Sequence, residues 1–123
     1  MQLVVESAAF LAIGNELLSG KIADANLVIL ARALREMGVL LRRVVMILDE
    51  IDVIAKEVAE LSATHDFVFT SGGVGPTHDD LTIEGVARAF GVDVVISAEL
   101  DLLLRKAYGE RLTEGHLLMA RIP

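Results

Sequence analysis

The sequence predicts an α/β fold with a mainly parallel sheet, and three observations carry the prediction. Short apolar runs alternate with segments in which apolar residues recur at helical spacing. The order strand, helix, strand, helix, strand, helix calls for parallel strands joined by right-handed crossovers. The apolar content is 54% with aromatics at only 4%, an aliphatic composition that suits a sheet covered by helices.

Taken in order, Ala8-Ala9-Phe10-Leu11-Ala12-Ile13 is an apolar run ending at Gly14 and reads as a buried strand. A polar turn is expected from Gly14 to Ala23. Asp24 is placed to cap a helix marked by Leu27, Leu30, Leu34 and Met37 and closed by Gly38. Val39 to Leu48 is rich in β-branched and aliphatic residues and predicts the second strand. Ile51, Ile54, Val58 and Leu61 form the next helical stripe, and these stripes are assigned to the core. Phe67-Val68-Phe69 is the third strand and runs into Thr70-Ser71-Gly72-Gly73. Leu81 to Phe90 predicts a helix stopped by Gly91. Val92 to Ile96 is expected to be extended, Ala98 to Tyr108 helical, and Leu117 to Ile122 the start of another strand.

At 123 residues the chain is long enough for one domain. With 11 Lys and Arg against 18 Asp and Glu, its net charge is −7, which argues against nucleic-acid binding through a basic face. A small phosphorylated ligand remains open, because backbone N–H groups, a helix N-terminus or a metal ion can hold it. The absence of cysteine excludes disulfides, iron–sulfur clusters, thiolate zinc sites and a cysteine nucleophile. No apolar stretch reaches the ~18 residues of a membrane span. The apolar N-terminus has no Lys or Arg ahead of it, so it does not read as a signal peptide, and the cytoplasm is the expected location.

The residues that can carry chemistry converge on one rim of the expected sheet. The third strand delivers Ser71-Gly72-Gly73-Val74-Gly75-Pro76-Thr77-His78-Asp79-Asp80 to its carboxyl end, where ligands bind in open parallel sheets. Glycines there let backbone N–H groups approach an anion, and the next helix adds its positive end. The spacing matches neither a P-loop nor a dinucleotide-binding Gly-x-Gly-x-x-Gly. Asp79 and Asp80 can hold magnesium, which takes one or two carboxylates and completes its shell with water and phosphate. The alternative is that Asp79 caps the following helix and both aspartates complement its dipole. Gly14, Glu16 and Ser19 leave the first strand on the same rim, with capping or plain exposure as the alternative. Asp49 leaves the second strand there, with an N-cap role as its alternative. His78 lies in the loop, within reach of phosphate, whereas His65 and His116 read as surface residues.

Two stretches resemble a known family. Ala12-Ile13-Gly14-Asn15-Glu16-Leu17-Leu18-Ser19-Gly20, with Asp24 and Asn26, resembles the opening of CinA-like proteins. Thr70-Ser71-Gly72-Gly73-Val74-Gly75-Pro76-Thr77-His78-Asp79-Asp80-Leu81-Thr82 resembles their second hallmark. The likeness runs from about Ala8 to Pro123, and the domain is shared with the MoaB and Mog types of molybdenum cofactor synthesis. It implies a three-layer α/β/α fold with a molybdopterin- or nucleotide-type site at the glycine turn. It also implies a divalent metal such as Mg2+ and a homo-oligomer, dimer or trimer. In the Mog type, an acidic residue after the second strand and one in the glycine-turn motif serve adenylyl transfer with magnesium. Those positions match Asp49 and Asp80. In CinA-like proteins the domain is associated with metal-dependent hydrolysis of ADP-ribose, and a separate C-terminal domain, not expected within these 123 residues, deamidates nicotinamide mononucleotide.

The chain departs from the pattern at Asn15, where the family more often has Asp. Leu118-Met119-Ala120-Arg121-Ile122-Pro123 resembles a segment that normally precedes further strands, so a domain truncated at its C-terminus is expected. Three functions follow: hydrolysis of a nucleotide pyrophosphate such as ADP-ribose, adenylyl transfer to molybdopterin, or binding of a pterin or nucleotide without turnover.

Overall fold

Strand β1 (Ser7–Ile13) is apolar at every position after Ser7, so it is stable only where both of its faces are covered. The computed structural model, which describes residues 4–20 and 25–123, places it at the centre of a parallel sheet. Ala8 to Ile13 are all buried. Strand β2 (Leu40–Ile47) pairs with one side of β1 and strand β3 (Phe67–Ser71) with the other, in the order β2-β1-β3. Ile13 lies opposite Ile47, and Ala12 opposite Ser71, so the three strands end on one rim.

The chain runs from β1 outward to β2 and then back past β1 to β3. Right-handed crossovers therefore put helices α2 (Ala25–Glu36) and α3 (Ile51–Thr64) on opposite faces. On the α3 face, Ala9, Leu11 and Ile13 of β1 pack with Ile47, Ile54, Val58 and Leu61 into the main core. Helix α4 (Thr82–Phe90) lies against α3, and Gly85 makes this close approach possible, because a Cβ there would run into Ile54. Gly91 ends α4 in the left-handed conformation, as its position after Phe90 predicts.

Beyond α4 the chain leaves the parallel sheet. Strand β4 (Val95–Ile96) pairs antiparallel with β5 (Arg121–Ile122). Between them lie helix α5 (Ala98–Tyr108), capped by Ser97, a 3-10 turn (Gly109–Arg111) and helix α6 (Glu114–Leu118). No residue of α5 or α6 is fully buried, although Ala120 just after α6 is.

Several local expectations are corrected. The turn after Gly14 contains a one-turn helix, α1 (Asn15–Leu18). Leu117 and Leu118 belong to α6 and not to a strand, because Thr113 and His116 form a capping box that starts a helix there. The extended piece after Gly91 shortens to Val95–Ile96. Met37 falls beyond α2 and is 74% exposed, so it is not core, whereas Leu34 is buried. His65 and His116 are half-buried and bonded: His65 Nδ1 meets the Leu61 carbonyl (3.0 Å), and His116 stacks on Tyr108 (centroids 3.8 Å apart). Asp24, expected to cap α2, lies outside the described residues.

Candidate functional site

The common rim of β1, β2 and β3 gathers the polar residues, and local hydrogen bonds fix where each one sits. Gly14 is buried at the end of β1, and its N–H donates to the Ile47 carbonyl of β2 (3.1 Å). From the next position, Asn15 Oδ1 accepts the backbone N–H of Asp49 (3.0 Å). This bond holds the chain leaving β2 against α1. Asp49 is therefore not the N-cap of α3; Glu50 occupies that position without a side-chain bond. On the other side of β1, Ser71 Oγ accepts from Asn26 Nδ2 of α2 (2.8 Å). Asn15 thus performs a positioning task for which a neutral amide oxygen is sufficient.

The glycine turn is built from conformations only glycine adopts easily. Gly72 has φ +95° and Gly73 φ +69°. A Cβ on Gly72 would strike the Ile13 carbonyl, and one on Gly73 would strike Thr82 Oγ1. Thr82, 1% exposed, fastens the turn from the first residue of α4. Its Oγ1 donates to the Gly72 carbonyl (2.7 Å) and its N–H to the Gly73 carbonyl (3.0 Å). Leu81 is the N-cap of α4 and makes no side-chain bond, so neither Asp79 nor Asp80 caps that helix.

Asp80 is held by its own loop. Its Oδ2 accepts from the Thr77 N–H (2.9 Å) and from Thr77 Oγ1 (2.8 Å). These bonds favour the charged form and hold its carboxyl below the usual aspartate range. Gly75 passes directly against this carboxylate, since a Cβ there would come within 2.9 Å of Oδ2. Asp49 is pushed the opposite way. Burial comes first among the causes, followed by the negative charges of Asp80, Glu16 and Asp79; a hydrogen bond from the Leu81 backbone opposes them. Its Oδ1 is buried and has no hydrogen-bond partner among the described residues. Two neighbouring carboxyls with opposite shifts form an arrangement in which one stays ionised and the other takes a proton more readily.

The remaining candidates are less committed. Glu16 is exposed, and its charge reaches Asp49 through space. Ser19 Oγ donates to the Glu16 carbonyl (3.1 Å) and closes α1. His78 and Asp79 face solvent and pair with each other at 3.5 Å. Pro76 touches α6, because a Cβ on Gly115 would lie 3.2 Å from the Pro76 carbonyl. Among the described residues, no three His, Asp or Glu side chains group closely enough to hold a metal ion unaided. No helix among the described residues is long and apolar enough to cross a membrane.

The residues that sequence reasoning missed are those that hold others: Thr82 under the glycine turn, and Glu84, whose ion pair with Arg121 joins α4 to β5. Thr82 carried a signal, since a threonine two residues after Asp80 stands at a helix start. The Glu84–Arg121 pair spans 37 residues of sequence, and no spacing rule reaches it.

Comparison with known proteins identifies the fold and the family. A probable FAD synthase of Caenorhabditis elegans is 44% identical over 95 residues, covering 77% of this chain and 18% of that protein. The crystal structure of CinA from Thermoplasma acidophilum, described as of unknown function, superposes with a TM-score of 0.88 at 34% identity. It covers 97% of this chain and 71% of that one. MoaB from Thermus thermophilus shares the fold, with a TM-score of 0.66 at 18% identity over 92% of this chain and 70% of that one. The chain spans less than half the length of the curated relatives it matches. Residues 9–122 match the family described as a probable molybdopterin binding domain, and with the parallel sheet and glycine turn in place, the chain belongs to that family.

Proposed function

We propose that the rim site binds a phosphorylated nucleotide or pterin and hydrolyses a nucleotide pyrophosphate such as ADP-ribose, with a divalent metal. The observation that carries this reading is the carboxyl pair: Asp80 held ionised by Thr77, and Asp49 raised by burial with a partnerless oxygen beside it. The buried Oδ1 of Asp49 lacks a donor among the described residues, and a bound water or ligand hydroxyl would supply one. A carboxylate with a raised pKa is suited to take a proton from attacking water. Attack at phosphorus forms one P–O bond and breaks the bridging one, and the pyrophosphate separates into two monophosphates. The N–H groups of the glycine turn are suited to the phosphate oxygens.

The donor set also fits a metal in one specific way. A protein-only cage is ruled out among the described residues, but magnesium needs just one or two carboxylates when ligand phosphates complete its shell. Asp80 would hold it, with Asp79 at the mouth, which leaves Asp49 free to take the proton. When bound, it would neutralise phosphate charge that these carboxylates otherwise repel, by roughly 4 kcal/mol per pair at 4 Å in a surface-like dielectric. The name of the relative described as an FAD synthase also points to nucleotide chemistry.

A second reading, adenylyl transfer to molybdopterin, is favoured by the family description. A third, binding without turnover, rests on Asn15 standing where the family more often has Asp. All three predict a ligand at the rim, and one experiment separates them. The chain is incubated with ADP-ribose, or with ATP and molybdopterin, with and without magnesium. Metal-dependent release of monophosphates from ADP-ribose supports hydrolysis, and an adenylylated pterin supports transfer. A thermal shift without turnover supports binding alone, and no shift with any ligand would refute all three. We also propose self-association as a dimer or trimer, supported by the exposed apolar residues Val44 and Met46 on β2 and Phe67 on β3.

A further inference from the structure

We propose that Arg121 is the anion-recognising residue of a phosphate subsite beside the glycine turn, with Glu84 setting the strength of its charge. Between that turn and the β5 end of the chain lies a cavity of about 60 Å³, bordered by Gly73, Gly75, Asp80, Ile83, Met119 and Arg121. That is room for a few water molecules, or for a phosphoryl group. Arg121 is the only cationic side chain that borders it among the described residues.

The guanidinium is held in place. Arg121 Nη1 pairs with Glu84 Oε1, and Nε donates to the Leu118 carbonyl (3.3 Å). These bonds leave Nη2 with no partner among the described residues, and the guanidinium fork is suited to phosphate oxygens. The pair is largely shielded, with side-chain exposures of 23% and 28%, so its orientation is not averaged by solvent. Glu84 uses only one oxygen; Oε2 is buried and has no partner among the described residues. A carboxylate so placed orients the fork and also weakens its pull on an anion. β5 anchors the arrangement, since Ile96 pairs with Arg121, and the Ser97 N–H donates to the buried Ala120 carbonyl (2.8 Å).

The subsite answers a difficulty at the rim. Asp49, Asp79, Asp80 and Glu16 gather negative charge where a phosphorylated ligand must sit. A metal at the carboxylates can offset one phosphate, and the fixed guanidinium that borders the same cleft as Asp80 can receive the next. The ligand class this selects is a diphosphate-bridged compound, in preference to a monophosphate. The inference rests on the proposed function for its ligand class.

The test uses inorganic pyrophosphate and inorganic phosphate as probes, titrated calorimetrically into the chain with magnesium present. Pyrophosphate should bind more tightly than phosphate, and more weakly as salt rises. Arg121→Gln should weaken pyrophosphate at least tenfold. Glu84→Gln keeps an acceptor oxygen but removes the competing charge, and should tighten pyrophosphate severalfold. If the ion pair serves only as a strap between α4 and β5, both variants should lose affinity together, in step with a lower Tm. That parallel loss would overturn the proposal, as would wild-type affinity in Arg121→Gln or no binding of pyrophosphate to the wild-type chain. Should Arg121→Gln fail to fold, Arg121→Lys keeps the charge and loses the fork, and should weaken pyrophosphate at least threefold at unchanged Tm; an unchanged affinity overturns the proposal. Absent ADP-ribose turnover with these pyrophosphate effects intact would refute the hydrolytic reading alone.

Discussion

Replacing Thr82 with valine isolates what holds the glycine turn in shape. The side chain keeps its volume and branching but loses the hydroxyl that donates to the Gly72 carbonyl at 2.7 Å. The position is 1% exposed, so water cannot take over the bond. Leaving a buried carbonyl unpaired costs about 1–3 kcal/mol. At the middle of that range, a domain of this size loses about 6–12 °C in Tm. The Thr82 N–H bond to the Gly73 carbonyl survives, so the turn should loosen without opening. Thr82→Ser is the control: it also loses stability, about 1 kcal/mol for the buried methyl, but keeps the hydroxyl and hence the turn. Urea melts followed by circular dichroism give the stability of both variants, and pyrophosphate titration gives their affinity. Valine should lower both stability and affinity, and serine stability alone. A Thr82→Val chain as stable as wild type, or a serine variant that loses affinity as valine does, would refute the view that this hydroxyl shapes the anion cradle.

Other perturbations should give equally distinct results. Asp80→Asn should reduce magnesium-dependent ADP-ribose binding at least tenfold by calorimetry, with a stability change within the 0.3–1 kcal/mol or so expected of a helix-dipole effect. Asp80 sits below its ordinary 3.8, so its contribution to stability is present above that pH and lost as pH falls through the folded value; the deficit of Asp80→Asn in urea melts should shrink on acidification. Asp49 is raised, so its contribution is present below 3.8 and lost as pH rises through the folded value. Asp49→Asn should therefore stabilise the chain at neutral pH, by a margin that fades toward acid, while abolishing turnover. Gly72→Ala places a methyl against the Ile13 carbonyl at φ +95° and should cost more than about 2 kcal/mol by denaturant melt, or prevent folding.

Most of the scaffold was legible because it obeys local rules. The run from Ala8 to Ile13 is apolar without alternation, which only a doubly covered strand tolerates, and Gly38 and Gly91 end helices where the stripes stop. Convergence of Gly14, Asp49 and Ser71 on one rim follows from parallel strand order alone. Helix α1 escaped notice because four residues are too few to show a period, and Gly14 and Gly20 frame them like a turn. The Asp49-Glu50 pair offered two acidic residues for one cap, and the Asn15 side chain, 34 residues away, draws Asp49 toward the site. The apolar run after His116 looked extended because its helix is set by the Thr113 cap, outside the run itself. The stacking of His116 on Tyr108 and the Glu84–Arg121 pair depend on how the C-terminal elements fold back, which periodicity does not encode.

The division between the parallel sheet and the antiparallel β4–β5 pair has a consequence for amide exchange. Strand β1 is bonded on both sides and covered on both faces, so its amides should exchange only when the whole molecule opens. The β4–β5 ladder is two residues long, and α5 buries none of its own. Its amides should exchange through smaller openings, at a free energy below that of global unfolding. Residue 121 would then visit a detached state in which the rim has lost one wall, and pyrophosphate should slow exchange at Ile96 and Ser97 while leaving Leu11 unaffected. Occupancy of the cradle would thus be readable from protons more than twenty residues away in sequence from the glycines that form it.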